Sequence, residues 1–353
     1  MKTVTLGSTG ITTKANGFGA LPIQRVTDEE AVALLRRAWE GGMTFFDTAR
    51  AYSDSEHKLG LAFGAWGTTS DGWKGPKREE IYIATKTMAS SVDKLWEDLE
   101  TSLAELQTDY IDIYQFHNPA KCIRPGDGSG LYEAALEAKK QGKIRHIGVT
   151  AHRIATAEEE VASGLYETMQ YPMNYLCVER ELDLLNKCVD ANMGFLGMKG
   201  MSGGLLNDSR AMMAYVSNFD NFVPIWGVQR ASELEEWLSY MDETPVMTPE
   251  IDKVIAKDRA ELQGDFCRSC GYCMPCPVGI TINQCARISL MLRRAPAESW
   301  LTEHWQAEMQ KINDCLECGQ CSAKCPYELD TPELLKKNYA DYQAVLAGEI
   351  SVK

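Results

Sequence analysis

Eight of the twelve cysteines stand in two tight runs, Cys267-x2-Cys270-x2-Cys273-x2-Cys276-Pro277 and Cys315-x2-Cys318-x2-Cys321-x3-Cys325-Pro326. A CxxCxxC run puts three thiolates on one turning loop, while a fourth cysteine followed by proline reaches over to the neighbouring cluster. The spacing therefore predicts two [4Fe-4S] clusters. It implies that Cys267, Cys270, Cys273 and Cys325 hold one cluster and Cys315, Cys318, Cys321 and Cys276 the other. Zinc sites use pairs of CxxC rather than runs of four cysteines ending in Cys-Pro, and disulfides fit the pattern less well still. The first run departs from the usual form by one residue before Cys276, which bears on the crossed assignment more than on the number of clusters.

A second set of residues suited to chemistry lies in the first half of the chain. Asp47, Lys86 and His117 each stand at the end of a short apolar, β-prone run (Met43 to Phe46, Ile81 to Thr85, Ile111 to Phe116), and Tyr52 follows shortly after Asp47. Taken singly, each has a bland reading as a helix cap, a solvated lysine or a structural histidine. Together they make an acid–base site. In it a lysine ammonium loosens the tyrosine proton, a carboxylate pairs the lysine, and a histidine orients a carbonyl oxygen.

The elements that must position these groups form a βα repeat. Further strand-like runs are Ile144 to Thr150, Met169 to Tyr171, Met193 to Met198 and Phe222 to Trp226, with an initial strand near Asn16 to Ala20. Thr27-x-x-Glu30 reads as a capping box opening a helix over Asp28 to Glu40. Ser91 to Leu106 and Leu131 to Gln141 carry apolar residues at helical spacing. Eight βα units within about 240 residues suit a (β/α)8 TIM barrel, whose active sites form at the C-terminal ends of the strands. No Gly-rich dinucleotide fingerprint favours an open sheet instead. Residues 1 to 13 read as a hairpin plugging the barrel's lower end. Glu243 to Pro249 reads as a linker into a helix Glu250 to Leu262, which gives a barrel over 1–245 and a smaller domain over 246–353.

The formal net charge of −14 falls to about −18 once each cluster with its thiolates adds roughly two negative charges. Nucleic acid and anionic membranes are poor partners for such a chain. No apolar run is long enough to span a bilayer, and Met1 leads into patterned sequence without a signal-peptide layout. The expectation is a soluble protein of a reducing compartment, the cytoplasm.

The stretch Phe45-Phe46-Asp47-Thr48-Ala49-Arg50-Ala51-Tyr52-Ser53-Asp54-Ser55-Glu56, with Leu59-Gly60, resembles the signature of the aldo-keto reductases. Ile83-Ala84-Thr85-Lys86, Tyr110 to His117 and Ile147-Gly148-Val149-Thr150 resemble its next motifs in order, so the likeness covers roughly residues 1 to 245. It implies a (β/α)8 fold, an NAD(P)H cofactor, a small carbonyl or alcohol substrate, and a tetrad of Asp47, Tyr52, Lys86 and His117. Tyr52 would protonate the carbonyl oxygen as hydride arrives, or take the proton in reverse. The cysteine runs resemble the ferredoxin-fused branch of the family, in which an α-helical ferredoxin-like iron-sulfur domain follows the barrel.

By the same resemblance Gln170 falls near the nicotinamide carboxamide and Thr150 where a serine is common. Ala151 replaces the usual asparagine, and Met198 replaces an aromatic that stacks on the nicotinamide. The loop Lys199 to Gly204, with Gly200 and Gly203, resembles a phosphate-contacting loop. The stretch from Gly227 through Arg230 and Glu233 resembles the adenosine-end segment. A glutamate at 233 repels a 2′-phosphate and Arg230 opposes it, so NADH and NADPH both stay open.

Cys122, Cys177, Cys188 and Cys285 read as structural, with Cys122 set apart by the neighbouring Lys121 and Arg124. Gly64 to Gly75 is either a wall of the pocket or a surface insertion. Trp300 and Trp305 read as core of the small domain, and of the remaining histidines His152 alone reaches toward the active-site mouth. Three readings of the whole remain open. In the first, a nicotinamide-dependent reductase has clusters that exchange electrons with a ferredoxin-type carrier. The second is a nicotinamide-independent enzyme fed single electrons by the clusters. In the third, the clusters only staple the small domain.

Overall fold

The computed structural model describes residues 1–64, 66–262 and 266–352. They fall into two compact units, Met1–Gly200 with Ser209–Ile251, and Met201–Asp208 with the chain from Asp252 onward.

The first unit begins with β1 (Thr3–Thr5) and β2 (Thr12–Lys14), paired antiparallel. Eight parallel strands then close into a barrel: β3 (Gly17–Gly19), β4 (Phe45–Asp47), β5 (Tyr82–Thr87), β6 (Ile111–His117), β7 (Ile144–Thr150), β8 (Thr168–Pro172), β9 (Gly194–Met198) and β10 (Phe222–Gly227). β10 pairs with both β9 and β3, which completes the ring. The strands are buried almost throughout and correspondingly apolar, as a sheet covered by helices on one face and filled on the other requires. The β1–β2 hairpin is a plug. Its Val4, Leu6 and Ile11 pack with Ala15 against Phe45, Ala84, Ile113, Leu196, Val223 and Ile225. Burying each larger side chain there stabilises the unit by roughly 1.5–3 kcal/mol. Gly7 lets the plug approach the barrel floor: its φ is 50°, and a Cβ would sit 2.5 Å from the backbone oxygen of Asn192.

The helix Asp28–Glu40 starts at the expected capping box, with Thr27 and Glu30 bonded reciprocally. Helices Val92–Glu105 and Leu131–Lys140 lie within a residue of their predicted spans. β5 runs two residues beyond the sequence expectation, because Lys86 and Thr87 pair in register with Gln115 and Phe116 despite their polarity. In the loop 64–75, which includes Ala65 outside the described residues, Trp66 donates to Gln107 O and Trp73 to Glu40. Trp73 also packs edge-on to Trp39. Those tryptophans thus lie on the outer helical layer, as a surface insertion.

Regular structure described in the second unit is helical. It comprises most of Pro249–Glu261, then Ile282–Cys285, Ile288–Arg294, Glu303–Gln310, Gln320–Lys324 and Thr331–Leu346 with short 3-10 turns between. Its core joins Ile280, Ile288, Leu292, Met309, Leu335 and Tyr342, with Trp300 and Trp305 packed against it at 4.8 Å between rings. Met201–Asp208 is tied into this unit by arginines: Arg294 Nε donates to Leu205 O at 2.6 Å, and Arg287 donates to the carbonyls of Ser202 and Gly203.

Candidate active site and thiol cavities

The barrel brings Asp47, Lys86, His117, Thr150, Gln170, Met198 and Gly227 to the C-terminal ends of consecutive strands. His117, Thr150 and Gln170 stand in register across β6, β7 and β8. The loop after β4 carries Tyr52 and is pinned on both sides. Arg50 N donates to Lys86 O at 3.0 Å, the Arg50 side chain pairs with Glu56, and Ser55 Oγ bonds Thr48 Oγ1 at 2.8 Å and Ala20 O at 2.9 Å. Ser53, with φ at 41°, makes the turn that leads into the helix Ser55–Phe63.

Lys86 Nζ contacts both oxygens of Asp47, at 2.8 and 2.7 Å, and donates to Thr48 O at 2.6 Å. Burial pushes the Asp47 carboxyl up and the Lys86 amine down, and the mutual attraction of the pair opposes both shifts. Lys86 Nζ lies 5.1 Å from the Tyr52 ring centre, and the Tyr52 and His117 rings meet edge to face at 5.8 Å. No protein group among the described residues hydrogen-bonds the Tyr52 hydroxyl, so it is open to a substrate oxygen.

In the chain alone desolvation, with the Asp47 charge second, raises the Tyr52 pKa, and the Lys86 ammonium is directed onto Asp47. Burial, reinforced by Lys86, holds His117 neutral down to about 3. The imidazole is therefore a hydrogen-bonding group rather than a cation across the ordinary pH range.

Gln170 donates to Asp47 Oδ1 at 3.3 Å and accepts from Gln115 Nε2 at 2.9 Å, so both ends of its amide are engaged within the chain. Thr150 Oγ1 accepts from Asn118 N at 2.9 Å, and Asn118 Oδ1 accepts from His152 N at 3.1 Å. Sequence reasoning gave no role to Gln115, Asn118, Arg50 or Glu56. The signal for Gln115 is a polar residue between the apolar positions of β6, where Asp112 is the other buried one. His152 is buried and held neutral by desolvation, with Lys199 and His117 adding to the effect. Buried Cys122 has its sulfur 4.0 Å from the Tyr166 hydroxyl.

Of the loop Lys199 to Gly204, Lys199 and Gly200 belong to the first unit and Gly203 to the second. Lys199 O accepts from Asn174 Nδ2 at 3.2 Å, and Gly200 lies where a Cβ would collide with Trp226. Gly227 is exposed at the end of β10. Glu233 is not a free charge. It completes a capping box at the helix Ala231–Asp242, accepting from Gln229 N at 2.9 Å and Arg230 N at 3.0 Å, and it pairs with the Arg230 guanidinium at 2.6 Å. Desolvation pushes its carboxyl up, but those N–H groups and the guanidinium outweigh it and hold the pKa low.

In the second unit the eight clustered cysteines surround two cavities. One, of about 360 Å³, is lined by Cys267, Cys270, Cys273 and Cys325; the other, of about 410 Å³, by Cys276, Cys315, Cys318 and Cys321, with Cys273 also in its wall. The two runs fold alike. Ser269 and Glu317, each just before the second cysteine, have φ of 54° and 47°; the glycines just after it, Gly271 and Gly319, have 83° and 71°. Each loop thus turns inward round its sulfurs. After each Cys-Pro the chain turns again at Gly279 or Glu328 and enters a helix. No disulfide joins any of the twelve cysteines. Among the described residues no three His, Cys, Asp or Glu side chains converge on a point as one metal ion requires. Four thiols spread round each cavity fit a multi-iron cluster instead.

Residues 5–246 match the aldo/keto reductase family and residues 266–330 the 4Fe-4S dicluster domain. A methylglyoxal reductase, DkgB, of Salmonella typhimurium is 35% identical over 158 residues, which is 43% of this chain and 53% of that protein. The aldo-keto reductase YhdN of Bacillus subtilis is 30% identical over 223 residues, 58% of this chain and 64% of that one. The chain thus spans about half to two thirds of the length of these curated relatives. A solved aldo-keto reductase from Klebsiella pneumoniae, in complex with NADPH, superposes with a TM-score of 0.61 at 20% identity over 73% of this chain and 95% of that one, a likeness of fold. The chain belongs to the aldo/keto reductase family and carries a 4Fe-4S dicluster domain behind its barrel.

Proposed function

We propose that the barrel reduces the carbonyl of a small substrate, or oxidises the corresponding alcohol, with NAD(P)H, and that the C-terminal domain holds two [4Fe-4S] clusters that exchange electrons with a ferredoxin-type carrier. The observation that carries the reading is the convergence of Tyr52 and His117 over the buried Lys86–Asp47 pair. Nicotinamide, when bound, supplies a hydride, and the clusters supply single electrons. Tyr52 gives its hydroxyl proton to the carbonyl oxygen in reduction and recovers it in the reverse direction. Burial keeps that proton on the phenol until the oxygen gains charge, and Lys86 stabilises the phenolate as it forms. Neutral His117 orients the same oxygen by a hydrogen bond. Gln115 and Gln170 hold Asp47 against Lys86. Thr150, Met198, Lys199, Gly200, Gly227 and Arg230 are the proposed cofactor contacts in the first unit. Cys267, Cys270, Cys273 and Cys325 would hold one cluster and Cys276, Cys315, Cys318 and Cys321 the other, in line with the two cavities.

Methylglyoxal serves as the probe substrate, since a relative is named for its reduction. With anaerobically prepared protein, Tyr52→Phe is expected to lower turnover by about 10²- to 10⁴-fold while nicotinamide binding stays nearly unchanged. Wild-type turnover in the variant would overturn the assignment. A nicotinamide-independent enzyme is the second reading, favoured by the engaged amide of Gln170 and by Met198 at the stacking position. Titration with NADH and NADPH separates the two, since only the first reading requires saturable binding.

A further inference from the structure

The two thiol cavities have equal numbers of sulfurs but unequal electrostatics. Among the described residues no charged side chain lines the cavity of Cys276, Cys315, Cys318 and Cys321, whose wall is completed by Pro275, Val278, Ile280, Ile282 and Leu335 among others; Lys336, outside this wall, is paired with Glu317 at 2.7 Å. The cavity of Cys267, Cys270, Cys273 and Cys325 has Arg268 in its wall, with the guanidinium over Phe266 and Tyr327 at 4.8 and 4.3 Å. Arg287, next in sequence to Ala286 in the wall, is 2% exposed. Its guanidinium donates to the carbonyls of Ser202 and Gly203 and lies 2.8 Å from Met291 Sδ, and its Nε has no hydrogen-bond partner among the described residues. A Cβ on Gly203 would lie 2.8 Å from Arg287 Nη1 and 3.6 Å from Ser269 Cβ, and Ser269 N donates to Cys267 Sγ at 3.4 Å. The guanidinium and the Cys267 loop therefore flank the same glycine. A buried guanidinium facing carbonyls and a thioether, with no carboxylate bonded to it among the described residues, is destabilising unless an anion lies nearby. A cluster held by Cys267, Cys270, Cys273 and Cys325 would supply that negative charge.

We infer that Arg268 and Arg287 make the site of Cys267, Cys270, Cys273 and Cys325 the electron-holding member of the pair, and the site of Cys276, Cys315, Cys318 and Cys321 the port for single electrons. The inference rests on the reading that both sites hold [4Fe-4S] clusters. Reduction adds one negative charge to a cluster, and a fixed positive charge in a poorly solvated setting favours that state. Solvent at Cys318 also favours reduction of the port site, but reorienting water answers charge less locally than two fixed guanidinium groups. Exposure assigns the port. Cys318 is the one exposed cysteine of the eight, and Leu316 beside it is 65% exposed. Cys273 and Ile282 line both cavities, so the two sites adjoin. A cluster held by Cys276, Cys315, Cys318 and Cys321 would accept one electron from an external iron-sulfur carrier and pass it to one held by Cys267, Cys270, Cys273 and Cys325, with no proton transferred.

The test is an anaerobic redox titration of the reconstituted full chain, followed by electron paramagnetic resonance with dithionite as reductant. Two midpoint potentials are expected, separated enough that the inner cluster holds the electron at least tenfold more often, about 59 mV for a one-electron couple. Cys318→Ser should abolish the lower potential and leave the higher. Arg287→Gln should lower the higher potential alone, and Arg287→Lys, which keeps the charge, should restore most of it. Arg268→Gln, a change at a partly exposed side chain, should shift the higher potential in the same direction. Equal potentials, loss of the higher one in Cys318→Ser, or no shift of the higher potential in Arg268→Gln would overturn the inference while leaving two clusters intact. Four irons per chain would instead remove the reading beneath it.

Discussion

Lys86→Met deletes one member of a buried ion pair and leaves Asp47, 4% exposed, with only the Gln170 amide at 3.3 Å. Stranding a buried charge in this way costs about 3–5 kcal/mol. Tyr52→Phe removes a hydroxyl that bonds no protein group and should leave stability nearly unchanged, so denaturant midpoints separate the two variants even though both lose turnover. A Lys86→Met protein as stable as the wild type would mean that the pair does not hold the site together. Glu160 offers a pH test away from the active site. Its side chain is fully buried with neither carboxylate oxygen bonded among the described residues, and desolvation, with Glu159 second, pushes its pKa up to about 9. Because the folded value exceeds the unfolded one, the protonated carboxyl stabilises the fold fully below about pH 4.5, and that contribution is lost as pH rises toward about 9. Glu160→Gln should therefore match the wild type near the acid end and gain on it as pH rises, by up to about 1.4 kcal/mol per pH unit. A gain that shrank with rising pH would contradict the buried, protonated state.

The helix Ala231–Asp242 shows how an element changes the meaning of a residue. From sequence, Glu233 is a charge that repels a 2′-phosphate; in the fold it caps a helix and holds Arg230. Glu233→Ala should destabilise the chain by about 0.5–2 kcal/mol through the lost cap. It should also free Arg230, so that the NADPH:NADH affinity ratio rises several-fold in a calorimetric titration; an unchanged ratio would remove Arg230 from the adenosine end. Much else at this scale was legible. The eight strands could be read because β-branched and apolar runs recur with turn residues between them, and the capping box at Thr27 marked a helix start. Asp47, Lys86 and His117 were legible because barrel strands end where polarity begins. The partners of Gln170, the bond from Asn118 to Thr150 and the buried Glu160 were not. Each depends on which side chain a neighbouring strand or helix presents, and sequence spacing does not carry that.

Across the whole chain, the sequence runs a barrel into a cysteine-rich stretch, but the compact units do not follow chain order. Met201–Asp208, between β9 and the helix Ser209–Val216, belongs with the residues after Asp252. Nothing in its own composition signals this, because the ties are Arg287 and Arg294 reaching its carbonyls from about 85 residues further along the chain. The cysteine runs were legible for the opposite reason, since three of the four cysteines proposed for each cluster come from one loop and the spacing is local. Apart from Pro249–Glu261 and Thr331–Leu346, the helices of their domain are short segments with little periodicity to read. The proposed two-electron carbonyl site and pair of one-electron centres share one chain, and the iron content tests that pairing most directly. Protein reconstituted without oxygen should bind close to eight irons and eight sulfides per chain, as eight thiolates in two sets of four require. Four irons, or zinc in place of iron, would contradict it.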